Sequence, residues 1–102
     1  MSTTKSPRRL TDEELDRMAR HFRLLGEPMR LKILQAVCRE PHSVGEIVAA
    51  TGATQANVSK HLALLAAAGI LKREKAGQSA FYGVKDQLVA RLCELVHAHL
   101  SG

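Results

Sequence analysis

Ser43 to Gly69 reads SVGEIVAATGATQANVSKHLALLAAAG. Ser43-Val44-Gly45-Glu46 has the form of a capping box and opens a short helix to about Thr51, with Gly52 as its punctuation. A second helix starts near Thr54 and runs to Ala68, burying Val58, Leu62 and Leu65, and Gly69 ends it. Two short helices around a Gly-containing turn, the second led by small polar side chains, form the unit that enters the major groove of duplex DNA. A basic hairpin follows directly: Ile70 to Lys75, a turn at Ala76-Gly77-Gln78, then Ser79 to Val84. Helix, turn, helix and basic hairpin together make a winged helix-turn-helix.

Working outward, Thr11-Asp12-Glu13-Glu14 is another capping box, followed by Leu15, Met18, Ala19, Phe22 and Leu25 at helical spacing. That spacing predicts one buried stripe on a first helix ending at Gly26. Pro28 fits the first turn of a second helix carrying Leu31, Ile33, Leu34 and Val37, which Pro41 stops. After the hairpin, Asp86 caps a last helix reaching about Leu100. The expected architecture is mainly α with a β-hairpin wing, in the order α-α-α-α-β-β-α. Residues 1–10 (MSTTKSPRRL) read as a disordered basic arm, with Arg8 and Arg9 available to phosphates, and 11–102 as a single DNA-binding and dimerisation domain.

The totals agree with this reading. A chain of 102 residues supports one modest core. The net charge of +5 and a pI near 9.7 favour a polyanionic partner. Aromatic residues make up only 3%, which argues against RNA or single strands held on stacked aromatic platforms. No apolar run approaches membrane-spanning length, and the N-terminus lacks the apolar stretch of a signal peptide. Two cysteines, Cys38 and Cys93, are too few for a disulfide framework, and the cytoplasm is the expected compartment.

The strings LLGEPMRLKIL, HSVGEI, TQANVSKHLALLAAAGIL and GQSAFY, in that order from about Phe22 to Val84, resemble the ArsR/SmtB family of bacterial repressors. The resemblance implies a homodimeric winged-helix repressor on operators of imperfect inverted symmetry, in many members released by a metal, metalloid or thiol-reactive signal. On the recognition helix, Thr54, Gln55, Asn57, Ser59, Lys60 and His61 are read as facing outward. Gln and Asn suit adenine edges, Ser and Thr suit base or phosphate, and Lys60 suits phosphate or guanine. His61 is read either as a phosphate contact or as packed structure. In the wing, Lys72, Arg73, Lys75 and Gln78 are expected along the DNA backbone or minor groove.

The last helix is apolar on two sides, with Leu88, Leu92 and Leu95 on one and Val89, Cys93, Val96 and Leu100 on the other. A second stripe needs a second surface, so a dimer through the terminal helices is expected, centred on Leu88, Leu92, Cys93, Leu95 and Val96. The alternative is a more deeply buried helix.

The signal is less legible. Metal-sensing relatives carry four ligands on the last helices of two subunits. By the resemblance, Asp86 and His99 occupy two of these positions, whereas the other two are Leu88 and Gly102, which offer no side-chain donors to a zinc-type ion. The simpler reading makes Asp86 an N-cap and leaves His97 and His99 solvated near a helix C-terminus. No cofactor is required. The third helix lacks the cysteines of arsenic-sensing relatives. Cys38 and Cys93 are displaced from the persulfide-sensing pattern, whose positions here are Gln35 and Ser101. A redox role for the pair requires their Cα atoms within about 7 Å. A winged helix can also serve as a protein-interaction module, but the outward face of the fourth helix lacks apolar anchors for that. No metalloprotease, P-loop or nucleophile-elbow motif points to an enzyme.

Overall fold

The computed structural model describes residues 9–102. Its elements are α1 (Asp12–Leu25), α2 (Pro28–Val37), β1 (His42–Ser43), α3 (Val44–Thr51), α4 (Gln55–Ala67), β2 (Leu71–Ala76), β3 (Ser79–Val84) and α5 (Gln87–Ser101). The helices begin where their caps dictate. In both capping boxes the hydroxyl accepts the N3 amide, at 3.1 Å for Thr11 and 3.2 Å for Ser43, and the N3 glutamate returns to the cap's own N–H at 2.9 Å. The Ser43 N–H, and after it His42, hold the Glu46 carboxyl below its ordinary range. Gly52 closes α3 in the left-handed region at φ 74°, where its N–H reaches the Val48 carbonyl at 2.9 Å.

The sequence led to two strands, and the described residues form three. β1 pairs with β3 through His42↔Tyr82 and Ser43↔Phe81, giving the antiparallel order β1-β3-β2. Two residues between Pro41 and a capping box show no alternation, so periodicity could not reveal them. Pro41 also packs onto β3: a Cβ at buried Gly83 would stand 3.1 Å from the Pro41 Cγ.

The core consists of Ile33, Leu34 and Val37 of α2, Ile47 of α3, Val58, Leu62 and Leu65 of α4, Ile70 and Leu71 at the start of the wing, and Val89 of α5. Leu31, on the same helix as Ile33 and Leu34, is exposed. The expected burial of the α1 stripe is overturned. α1 buries no residue fully, and Leu15, Met18 and Phe22 are 47%, 42% and 60% exposed. Ala19 is exposed too; only the end of the helix, at Leu24 and Leu25, packs against the core. Amphipathic spacing gave the stripe correctly, but this chain alone does not cover it. Arg9 and Leu10 are exposed and outside any regular element, and the rest of the expected basic arm lies outside the described residues. No helix among the described residues is long and apolar enough to cross a membrane.

α1 is tied to α5 by a polar contact. The His21 ring places Nδ1 3.0 Å from the Arg17 carbonyl and Nε2 3.0 Å from Asp86 Oδ2. Both partners only accept, so both are satisfied only when the ring carries two protons. Accordingly, the Arg17 carbonyl, then Asp86, raises His21 above its ordinary value, while the His21 bond foremost lowers Asp86.

Two outcomes follow from these contacts. Gly83→Val should cost about 1–3 kcal/mol by crowding the Pro41 ring, read as a lower denaturation midpoint with unchanged m-value. The second concerns pH. The raised His21 contributes stability below its ordinary value of 6.5 and loses it as pH rises through its higher folded value. The depressed Asp86 contributes above its ordinary 3.8 and loses it as pH falls through its lower folded value. The gap in thermal midpoint between wild type and His21→Gln should therefore be widest between those two ordinary values and close as the solution becomes alkaline. A pH-independent gap would show that the contact is not ionic.

Candidate nucleic-acid interface

Two features position α4. Gly52 turns the chain sharply out of α3, and Thr54 caps α4 by accepting the Asn57 N–H at 3.1 Å. The Thr54 oxygen is thereby engaged in the turn itself. With Val58, Leu62 and Leu65 buried, the helical period turns Gln55, Asn57, Ser59 and Lys60 to the surface. These four stand exposed on the N-terminal half of the helix, the half a recognition helix presents to base edges.

His61 departs from the outward placement. It is 7% exposed, and its Nδ1 accepts the Arg30 Nε–H at 3.3 Å. The structure thus takes the packed alternative. Helical arithmetic explains why: His61 lies three residues beyond Val58 and four before Leu65, within the buried stripe.

The wing sorts its basic residues by strand alternation. β2 pairs with β3 from Leu71↔Val84 to Ala76↔Ser79, and Gly77 turns the hairpin at φ 65° beside exposed Gln78. Arg73 and Lys75 share the face of buried Leu71 and extend exposed beyond it. Lys72 points to the opposite face, where its Nζ lies 3.8 Å from Glu74. Lys72 is therefore removed from the row that Arg73 and Lys75 form.

On α5, Leu88, Leu95, Val96 and Leu100 are 56%, 68%, 53% and 78% exposed. Leu88 and half-buried Leu92 line a groove with Met18 and Phe22 of α1, so the uncovered stripes of the two terminal helices are neighbours. Cys93, expected at that surface, instead packs against the core beside Val89. Burial, and after it the proximity of Cys38, pushes the Cys93 thiol up, which disfavours the thiolate that redox chemistry uses. Cys38 is exposed, and both cysteines are free.

The metal-ligand positions do not fit an ion within one chain. Asp86 accepts the Leu88 N–H on Oδ1 at 3.0 Å and bonds His21 through Oδ2, so both carboxylate oxygens are engaged. His99 stands thirteen residues further along α5, about 20 Å away by helical rise. Among the described residues, no three His, Cys, Asp or Glu side chains cluster as ligands. The polar contacts of His21 and His61 were invisible in the sequence, because their partners lie 65 and 31 positions away.

A family model described as bacterial regulatory protein, arsR family, matches residues 27–73, from the start of α2 into the wing. A probable mercury resistance operon repressor of Streptomyces lividans is 39% identical over 78% of this chain, an alignment spanning 64% of that protein's length. The transcriptional regulator CmtR of Mycobacterium bovis is 35% identical over 82% of this chain and 72% of its own. Among solved structures, a homodimeric winged helix-turn-helix DNA-binding domain from Mycobacterium bovis shares the fold. It has a TM-score of 0.78 at 28% identity, covering 90% of this chain and 88% of that one. With its helix-turn-helix, its wing and these relatives, the chain belongs to the arsR family of bacterial regulatory proteins, a family of regulators and not of enzymes.

Proposed function

We propose that this protein is a homodimeric transcriptional repressor acting in the cytoplasm, and that it occupies a promoter operator of inverted symmetry. The observation that carries the reading is the exposed polar row Gln55, Asn57, Ser59 and Lys60 on α4, flanked by Arg73, Lys75 and Gln78 of the wing. Amides and hydroxyls at the N-terminal half of a helix suit base edges, and lysines and arginines on a neighbouring hairpin suit phosphates. Thr54 contributes the cap that presents this row. Similarity to repressors and to a homodimeric DNA-binding domain supports the same reading.

The dimer forms through the uncovered stripes of α1 and α5. Leu88, Leu92, Leu95 and Val96 meet a second copy, joined by Met18 and Phe22. Two-fold pairing then sets two recognition helices one turn of DNA apart, about 34 Å. Repression follows from occupancy of the promoter.

No zinc-type metal is required. Asp86 acts as the α5 cap and as the partner of His21, and His99 stays at the helix end. Cys38 and Cys93 remain the groups on which a thiol-reactive signal would have to act.

In fluorescence anisotropy, Gln55→Ala should weaken specific binding by about 1–3 kcal/mol while sparing non-specific binding. Lys75→Ala should weaken both alike and lower the salt slope by about one. An unchanged sequence preference in Gln55→Ala removes Gln55 from base readout. Leu95→Glu should give a monomer by sedimentation, and a dimer that persists would move the interface elsewhere. Stoichiometric zinc should leave the protein–DNA complex intact; release would restore Asp86 and His99 as ligands.

A further inference from the structure

The buried face of the DNA-reading helix carries one polar side chain, His61. An imidazole removed from water is costly unless it is bonded. Its bond comes from Arg30, whose Nε–H donates to Nδ1 at 3.3 Å. A guanidinium has no acceptor, so Nδ1 must be bare, and the ring is neutral with its hydrogen on Nε2. The same guanidinium donates through an Nη–H to the Leu24 carbonyl in the last turn of α1, at 3.3 Å. Its backbone is held as well, because Glu27, the α2 cap, accepts the Arg30 N–H at 3.0 Å. One side chain on α2 thus grips α1 by a carbonyl and α4 by a ring.

Apolar packing alone specifies less than this. Contacts among Val58, Leu62, Leu65 and the α2 side chains are non-directional, so they restrain distance better than rotation. A planar guanidinium with donors in a rigid fork fixes angles. Reading a base edge demands placement within about 0.5 Å, which a directional tie on the inner face of α4 supplies. We propose that Arg30 and His61 are positioning residues for DNA readout: the guanidinium clamps α4 to the α1–α2 corner through His61 and sets the angle at which Gln55 and Ser59 meet the bases. Neither residue touches DNA. This rests on α4 being the recognition helix.

The test uses the full chain, a preferred duplex selected from random DNA, and an unrelated duplex, with affinities read by anisotropy. Arg30→Met and His61→Phe should each lower affinity for the preferred duplex about tenfold, and the double variant should be no worse than either single, as for two halves of one contact. Affinity for the unrelated duplex should stay within about twofold. His61→Asn, whose Oδ1 stands near the Nδ1 position, should recover most of the loss. In ¹⁵N NMR of the wild type, His61 should show a bare Nδ1 and a protonated Nε2, with the Nδ1 signal moving in Arg30→Met. If that variant unfolds, Arg30→Lys keeps the charge but cannot span both partners, and it provides the same comparison.

Losses that multiply in the double variant would overturn the proposal. So would a parallel fall in both affinities with a shallower salt slope, which would put Arg30 on phosphate. A lower melting point with an unchanged affinity ratio would leave the pair a structural role only. A wild type with no preferred duplex would sink the recognition-helix reading and this proposal with it, whereas a preferred duplex bound equally well by Arg30→Met sinks this proposal alone.

Discussion

The burial of one face of α4 is the constraint from which the rest of the molecule follows. Val58, Leu62 and Leu65 go inward against Ile33, Leu34 and Val37 of α2 and Ile47 of α3, and they are at most 1% exposed. A helix has only one opposite side, so the same burial that stabilises the domain decides which residues solvent or DNA can meet. Gln55, Asn57, Ser59 and Lys60 are outward because Val58 and Leu62 are inward. Ile70 and Leu71 extend this core into the wing, which places Arg73 and Lys75 a fixed distance beyond it. Recognition helix and wing therefore share one rigid foundation, and neither can be re-aimed without disturbing apolar contacts packed as densely as a crystal.

The terminal helices show the reverse situation. A domain this small has little interior to offer, and α2, α3 and α4 take most of it, with Ile70 and Leu71 of the wing adding to theirs. α1 is left with no fully buried residue and α5 with Val89 alone. Their apolar stripes lie side by side along a groove between Met18, Phe22, Leu88 and Leu92. Within one chain, α1 is held by its capping box, by Leu24 and Leu25 against the core, and by the polar ties of His21 to Asp86 and of the Leu24 carbonyl to Arg30. A helix with that little inward anchorage and that much uncovered apolar surface is the reason the proposed dimer is placed on this pair of helices.

Local chemistry was legible in the sequence wherever the responsible residues are neighbours along the chain. The Thr11/Glu14 and Ser43/Glu46 capping boxes, the Pro28 start, the Gly52 turn and the Gly77 hairpin all act within a few residues, and each element begins or ends where they put it. What stayed hidden acts at a distance. β1 exists only because Tyr82 and Phe81 offer it a partner. The α1 stripe was correctly periodic, yet periodicity reports that a helix has an apolar face and not what covers it. His61 is a different case. Its spacing from Val58 and Leu65 placed it inside from the start, and its polar ring argued outward; the stripe won because Arg30 supplies the hydrogen bond that burial requires.

The long-range polar contacts form a chain of their own. Asp86 at the head of α5 holds His21 of α1; the Leu24 carbonyl at the foot of α1 receives Arg30 of α2; and Arg30 reaches His61 of α4. Each link joins two helices, and together they run from the helix pair with uncovered apolar faces to the helix with the exposed polar row. Directional contacts of this kind fix angles more tightly than apolar packing does on its own. Any rearrangement of α1 against α5 must either carry α4 with it or break one of three specific bonds. The uncovered apolar faces of α1 and α5 are therefore tied to the angle of α4 through the side chains of Asp86, His21, Arg30 and His61.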